Sequence, residues 1–451
     1  MFFLYSLLLT ISFLFLLPRF LLDAVRKGKY AAGFRQRLGI LPDFPHDEKA
    51  VIWLHCVSVG ETNAARPLVK KILENFSECR LVVSTTTKTG QNLAREIFAD
   101  SAEQVFYMPF DWKFSVRRAL KAVKPDVVLI METELWFNFV REAKKSGANV
   151  IIVNGRLSEK SLNRYLWIPK TMRRVLQNVD LALMQGEKDA KRILRLGIRA
   201  DKLKVTGNIK FDQSFDETKN NLTENLRKRF AVREDAPLIV AASTHAPEEQ
   251  WILQAFAQIY KFFSPENAPR LLIAPRHPER FAEVEKLIKE TGFDWAKPSA
   301  TESSRDRSAQ IILLDSIGEL RAIYPLAEIV FVGGSLIAHG GQSILEPAIA
   351  KKPIVTGFYT MNFEAATKEF LNQNAIIQLP ELVATEAVEK LAETFLQLLG
   401  NAEMRENLAK NALAVMRKNS GAAEKTVELL KPFLQNSRTK TFSQNNRPDA
   451  S

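Results

Sequence analysis

The feature that most constrains this chain is a pattern that runs twice: short apolar runs separated by longer amphipathic stretches. In the first series, from Ala50 onward, the runs are VIWLHCV, RLVVSTT, DVVLIM and NVIIVN, with helical segments such as Ala64 to Glu74 between them. Runs that are apolar throughout, without alternation, read as parallel strands covered on both faces. The second series follows a polar connection from about Asp212 to Asp235, and its runs are PLIVAAS, RLLIAP, QIILLD, EIVFVGG and KPIVTG. Strands alternating with helices give a doubly wound sheet, so two α/β lobes with a cleft between them are expected. A length of 451 residues suits two cores of that size.

These readings divide the chain. Residues 1–22 are expected to form an N-terminal membrane anchor, 23–212 a first Rossmann-like domain, 213–235 a linker, 236–436 a second Rossmann-like domain, and 437–451 a disordered tail. The linker FDQSFDETKNNLTENLRKRF is charged and nearly free of apolar periodicity until its end. The tail is polar.

The anchor rests on Phe2 to Leu17, which carry no charge, followed by Pro18, Arg19 and an apolar step to Leu22. That is near the lower limit of roughly 17 residues for a spanning helix, so crossing the bilayer and lying in its interface both stay open. A positive n-region and a small-residue cleavage site are missing, which argues for an uncleaved anchor. Arg19, Arg26, Lys27, Lys29, Arg35 and Arg37 follow against the single acid Asp23. Such a cluster keeps the following lobes cytoplasmic and can grip anionic headgroups of the inner membrane.

The balance of 63 Lys plus Arg against 51 Asp plus Glu, a net charge of +12, favours an anionic partner. Nucleic acid is not expected, because basic and aromatic residues are not interleaved as single-strand binders require. Cys56 and Cys79 are too few for a disulfide framework and read as structural thiols in a reducing compartment.

Several strand ends carry polar groups. After the first strand, His55-Cys-Val-Ser58-Val-Gly60-Glu61 places Glu61 at the carboxyl edge of the sheet, where ligands bind in open α/β folds. A carboxylate there can serve as general base or simply favour a helix N-terminus. Glu132 and Glu134 follow DVVLIM directly and project to the same edge, with helix capping as the plainer reading. Lys210, in Thr206-Gly-Asn208-Ile-Lys210, can meet developing negative charge or stand as a solvated cation.

In the second lobe Ser243-Thr244-His245 ends one strand and Pro275-Arg276-His277-Pro278-Glu279-Arg280 the next, offering donors and a guanidinium for phosphate. The strongest single feature is Val332-Gly333-Gly334-Ser335 followed by His339-Gly340-Gly341-Gln342-Ser343-Ile-Leu-Glu346-Pro347. It reads as a glycine turn opening a helix whose amides bind phosphate, with Glu346 accepting from a ribose diol, or as glycines used for close packing. The sequence contains no GxGxxG, Walker loop, HExxH or Asp-x-Asp pair. Its five histidines are scattered, so no zinc site is expected.

Taken in order, HCVSVGE, METELW, NGRLSEKS, GNIKFD, STH, PRHPER, Gly318-Glu319-Leu320 and the GGS to GG-x-x-x-x-EP block resemble the Kdo transferases over nearly the whole chain. The resemblance implies a GT-B glycosyltransferase that moves 3-deoxy-D-manno-octulosonic acid (Kdo) from CMP-Kdo to a tetra-acylated lipid A precursor, with inversion and without a metal or other cofactor. It implies Glu61 as catalytic base, and Glu132 and Lys210 as transition-state stabilisers. Pro275, Arg276, Ile317, Gly318, Glu319, Ser343, Ile344, Leu345 and Glu346 fall on the CMP contacts. Gln342-Ser343 stands where the family commonly has His-Asn, Phe137 where proline is common, and Ala246-Pro247 interrupts the STH segment. The competing readings are another GT-B nucleotide-sugar enzyme with a lipid acceptor, and a membrane-tethered nucleotide-binding protein without catalysis.

Overall fold

The structure, a computed structural model, describes residues 2–27, 33–44, 47–213, 220–232 and 236–444. It divides into two units, Met1–Asp212 with Asn419–Ser451, and Gln213–Lys418. Both are Rossmann-like α/β lobes of the GT-B kind, as the apolar runs require.

The first sheet has strands β1 (Val51–Cys56), β2 (Arg80–Thr85), β3 (Gln104–Tyr107), β4 (Val127–Met131), β5 (Asn149–Gly155), β6 (Leu181–Met184) and β7 (Leu203–Val205), all parallel, in the order β3-β2-β1-β4-β5-β6-β7. Each β1 residue is buried, because the two faces pack separate cores. Trp53 meets Phe106 and Phe139 on one face, while Ile52 and Leu54 lie in the core of the other.

The second sheet holds β8 (Leu238–Thr244), β9 (Arg270–Pro275), β10 (Trp295–Ala296), β11 (Ile311–Leu313), β12 (Ile329–Val332), β13 (Ile354–Thr356) and β14 (Ile377–Gln378), in the order β10-β11-β9-β8-β12-β13-β14. In both sheets the strand order reverses direction, between β1 and β4 and between β8 and β12. Loops leaving the two strands at such a switch diverge to opposite faces and leave a crevice at the carboxyl edge.

At the N-terminus, helix α1 (Phe2–Lys27) docks on the first lobe against α3 (Lys113–Val123) and α4 (Phe137–Lys145). Its inward face is polar and aromatic. Tyr5 donates to Asp111 at 2.8 Å, Thr10 accepts from Trp112 at 3.0 Å and Ser6 accepts from Asn138 at 3.0 Å. Phe3, Leu4, Leu7, Leu8, Ile11, Leu14 and Phe15 face outward. Beside this contact lies a groove of about 940 Å³ with Phe2, Phe3, Trp112 and Phe114 as apolar walls and Lys113, Arg117 and Arg141 as cations. Among the described residues, no helix is long and apolar enough to cross a membrane.

Three expectations need correction. Arg37 does not reach outward to headgroups: it is buried, donates to the Thr86 carbonyl at 2.7 Å and lies over the Tyr107 ring. Of its cluster, Lys29 and the side chains of Arg19, Arg26 and Lys27 lie outside the described residues. The stretch taken as a linker contains helix α5 (Asn220–Arg229), which packs into the second lobe through Leu226, Phe230 and a Thr223 bond to the Ala322 carbonyl.

The third correction concerns the C-terminus. The last helix, α8 (Ala422–Gln444), belongs to the first lobe, although residues to 436 were assigned to the second and 437 onward to a tail. Val427, Leu430 and Leu434 complete the core that holds Ile52, Leu54 and α2 (Val59–Asn75). Asp212 accepts from the Gly421 and Ala423 amides and so caps α8, satisfying donors a helix start leaves free. Residues 445–451 lie outside the described residues.

Candidate active site

Glu61 sits in the first turn of α2, directly beyond β1. Its Oε2 accepts the Val57 amide at 2.7 Å and its Oε1 lies 3.4 Å from the Ser58 hydroxyl. The side chain is 7% exposed. Burial pushes its carboxyl up to about 8; Glu132 and Glu134 add to the rise, while the Val57 amide and Lys210 oppose it. A carboxyl poised near neutrality can take a proton from a hydroxyl and give it up again.

Glu132 leaves β4 on the other side of the switch point, so fold topology puts the two acids together. Glu132 and Thr133 adopt left-handed φ values of 59° and 130°, a conformation costly for residues with a Cβ. The turn is fixed by bonds from Glu132 N to the Val153 carbonyl at 3.1 Å and from Arg156 N to the Glu132 carbonyl at 2.7 Å. Lys210 Nζ lies 2.6 Å from Glu132 Oε1. Its segment is placed by Asn154, next to the last residue of β5, which accepts the Ile209 amide at 3.0 Å. The structure thus brings together Glu61, Glu132, Glu134 and Lys210, which stand apart in sequence. Asn154 is the positioning residue that sequence reasoning left unexplained inside NGRLSEKS.

In the second lobe the expected nucleotide contacts come from three segments. Pro275 ends β9, and the exposed Arg276 is held by its amide to the Thr244 carbonyl at 3.0 Å. Ile317 is 79% exposed beside Gly318, whose φ is 87°, and Glu319 accepts from Ser316. Ser343 and Ile344 precede α7 (Leu345–Ile349). Arg321 joins the last two segments by pairing with Glu346 at 2.8 Å. One Glu346 oxygen is therefore engaged within the lobe, which narrows its use for a ribose diol.

The glycine turn also differs from expectation. The helix starts at Leu345, not at Gly341. The amides of Gly334, Ser335 and Leu336 are already occupied by the carboxylate of Glu248, at 2.6, 2.9 and 2.9 Å. Glu248, in α6 (Glu248–Tyr260), is fully buried and also accepts the His245 amide at 3.0 Å. An internal carboxylate thus fills the amide nest of the first glycine pair, whereas the amides expected to meet phosphate belong to the later helix start after Gly341. The signal was an acid just after Ser243-Thr244-His245, where α6 begins beside the switch point.

Three of the five scattered histidines converge, contrary to expectation, because β8, β9 and β12 are neighbours in the sheet. The His245 ring lies 4.1 Å from that of His339 and 5.3 Å from that of His277. Burial pushes the His245 imidazole down to about 4, helped by His339, His277 and Arg276.

A family model described as 3-Deoxy-D-manno-octulosonic-acid transferase (kdotransferase) matches residues 32–213. The 3-deoxy-D-manno-octulosonic acid transferase of Haemophilus influenzae is 33% identical over 414 residues, 91% of this chain and 94% of that one. That of Chlamydia trachomatis serovar A is 28% identical over 95% of this chain and 96% of its own length. Among solved structures, a glycosyltransferase from Rickettsia africae aligns with a TM-score of 0.57 at 14% identity, covering 86% of this chain and 99% of that one, a likeness of fold.

Proposed function

Because the chain belongs to the 3-deoxy-D-manno-octulosonic acid transferase family, we propose that it moves Kdo from CMP-Kdo to a hydroxyl of the lipid A precursor, inverting the anomeric carbon and using no metal in the transfer. The observation that carries this reading is Glu61. It is a buried carboxyl held near neutral pKa at the switch point of the first sheet, with the Lys210–Glu132 pair in its electrostatic field.

In this reading Glu61 takes the proton of the acceptor hydroxyl while its oxygen forms a bond to the anomeric carbon of Kdo. The bond from that carbon to the phosphate oxygen breaks, and CMP leaves with the electron pair. A single displacement inverts the centre. Negative charge grows on the departing phosphate, and Arg276, exposed at the carboxyl edge of the second sheet, is a cation suited to meet it. Pro275, Ile317 to Glu319 and Ser343 to Glu346 would hold the rest of CMP.

The acceptor class is supported by the first lobe. The outward row from Phe3 to Phe15 suits insertion into the membrane interface with the lobes on the cytoplasmic side of the inner membrane. The groove beside it joins apolar walls to Lys113, Arg117 and Arg141, the chemistry of a phosphorylated, acylated lipid.

The test is transfer by purified protein, with CMP-Kdo generated in situ, tetra-acylated lipid A precursor and excess chelator, against Glu61→Ala. Product from the wild type alone supports reaction and base together. A folded, CMP-binding wild type that makes no product sinks this donor and acceptor pair. Product only when metal is restored sinks metal independence.

A further inference from the structure

The convergence of His245, His277 and His339 is unused by the reaction above. One nitrogen from each ring lies within 4.8 Å of the others. His245 is 6% exposed, and its Nδ1 faces the Ser243 carbonyl at 3.2 Å. A carbonyl only accepts, so Nδ1 carries the proton and Nε2 presents a bare lone pair. That Nε2 is buried and has no hydrogen-bond partner among the described residues.

We propose that His245, His277 and His339 form a binding site for one divalent d-block cation of the zinc class, at the carboxyl edge of the second sheet. A zinc ion takes imidazole nitrogens at roughly 2.0–2.1 Å and accepts three protein ligands with a fourth position open. The nitrogens must close by a small rotation from their present spacing. His277 and His339 are exposed and can swing, while His245 is fixed.

The outer partners of such a site are already in place. The Ser243 carbonyl sets the tautomer of His245, as carbonyls do for metal-bound histidines. Glu248 holds the His245 backbone and, through Gly334, Ser335 and Leu336, the start of the loop that carries His339. Gly334, at φ 65°, leaves room for the ring: a Cβ there would come within 3.2 Å of His245 Nδ1. The Arg276 guanidinium lies in the field of this group and opposes a cation. That charge favours an anionic fourth ligand, while the three imidazole nitrogens are what select a zinc-class ion over oxygen-seeking Mg²⁺. The ion would tie three strand-end segments into one unit.

The experiment titrates chelator-treated full-length protein with Co²⁺, Zn²⁺ and Mg²⁺, reading visible absorption, calorimetry and melting temperature without substrate. The expected result is one Co²⁺ per chain with the intense spectrum of tetrahedral coordination, displaced by Zn²⁺ and unaffected by Mg²⁺. His277→Ala and His339→Ala should each weaken binding by more than the roughly 10–100-fold typical of outer partners, while metal-free melting temperatures stay at the wild-type value. Weak octahedral Co²⁺ spectra, or binding unchanged in both variants, overturn the site. Should a variant unfold, the wild-type spectrum alone decides between tetrahedral and hydrated ion.

Discussion

Lys210 Nζ lies 2.6 Å from Glu132 Oε1, with both side chains about one-fifth exposed, and Glu61 feels both charges. Glu132 raises the Glu61 pKa more than Lys210 lowers it, so the pair on balance lifts the carboxyl while Lys210 limits the rise. Lys210→Met should remove the opposing cation and leave Glu132 unpaired. The rising, acidic limb of the pH profile of kcat/KM then moves to higher pH, and kcat falls by about 10²-fold. A fall in rate with no movement of the profile would count against electrostatic tuning.

In the wild type, log kcat/KM should rise with pH and level off near the Glu61 pKa of about 8, because the base works deprotonated. Glu61→Gln should lower kcat by about 10²–10⁴-fold and abolish that limb.

The same substitution should stabilise the protein. The folded carboxyl titrates near 8 and the unfolded one near 4.5, so the folded state binds more protons between those values. Stability then falls as pH rises through that window and stays reduced above it. The gain from Glu61→Gln should be small at pH 4.5 and on the order of a few kcal/mol at pH 9. Melting curves at the two pH values check this; a wild type more stable at pH 9 than the variant would refute it.

Asp111 joins α1 to the lobe, accepting from Tyr5 as well as from the Asn138 and Phe139 amides that begin α4. Asp111→Ala should cost about 1–3 kcal/mol through the lost cap and orphaned donors. Limited proteolysis should then cut within or just after α1 faster than in the wild type.

Glu248 fills the amide nest of the glycine turn. Glu248→Ala should release Gly334, Ser335 and Leu336, destabilise the second lobe by about 2–4 kcal/mol and weaken CMP binding, read by calorimetry at low temperature. Unchanged affinity for CMP would separate this turn from the nucleotide site.

Much of the fold was legible because a buried parallel strand has few sequence disguises: VIWLHC and DVVLIM could be little else. Glu61 and Glu132 were legible as strand-end acids. Their meeting with Lys210 needed the strand order, which topology supplies and local pattern does not. The histidines looked scattered because 245, 277 and 339 become neighbours only once β8, β9 and β12 are ordered. Gly333-Gly334 was legible as a tight turn, but that its amides hold the Glu248 carboxylate was not, because the acid lies some eighty-six positions upstream. Helix α8 was misassigned since its apolar residues, Val427, Leu430 and Leu434, suit either lobe, and the deciding contact is Asp212, some two hundred positions upstream.

That return of α8 sets an order of events during synthesis. When Asp212 leaves the ribosome, the face formed by Ile52, Leu54 and Ile209 still lacks its cover. The cover emerges only about 200 residues later, which at roughly 5–20 residues per second is a wait of ten seconds or more. The second lobe has by then been translated, while the lobe made first is finished last and must keep an apolar face shielded meanwhile. A chain that ends before Ala422 should accordingly leave its first lobe protease-sensitive and bound to chaperones.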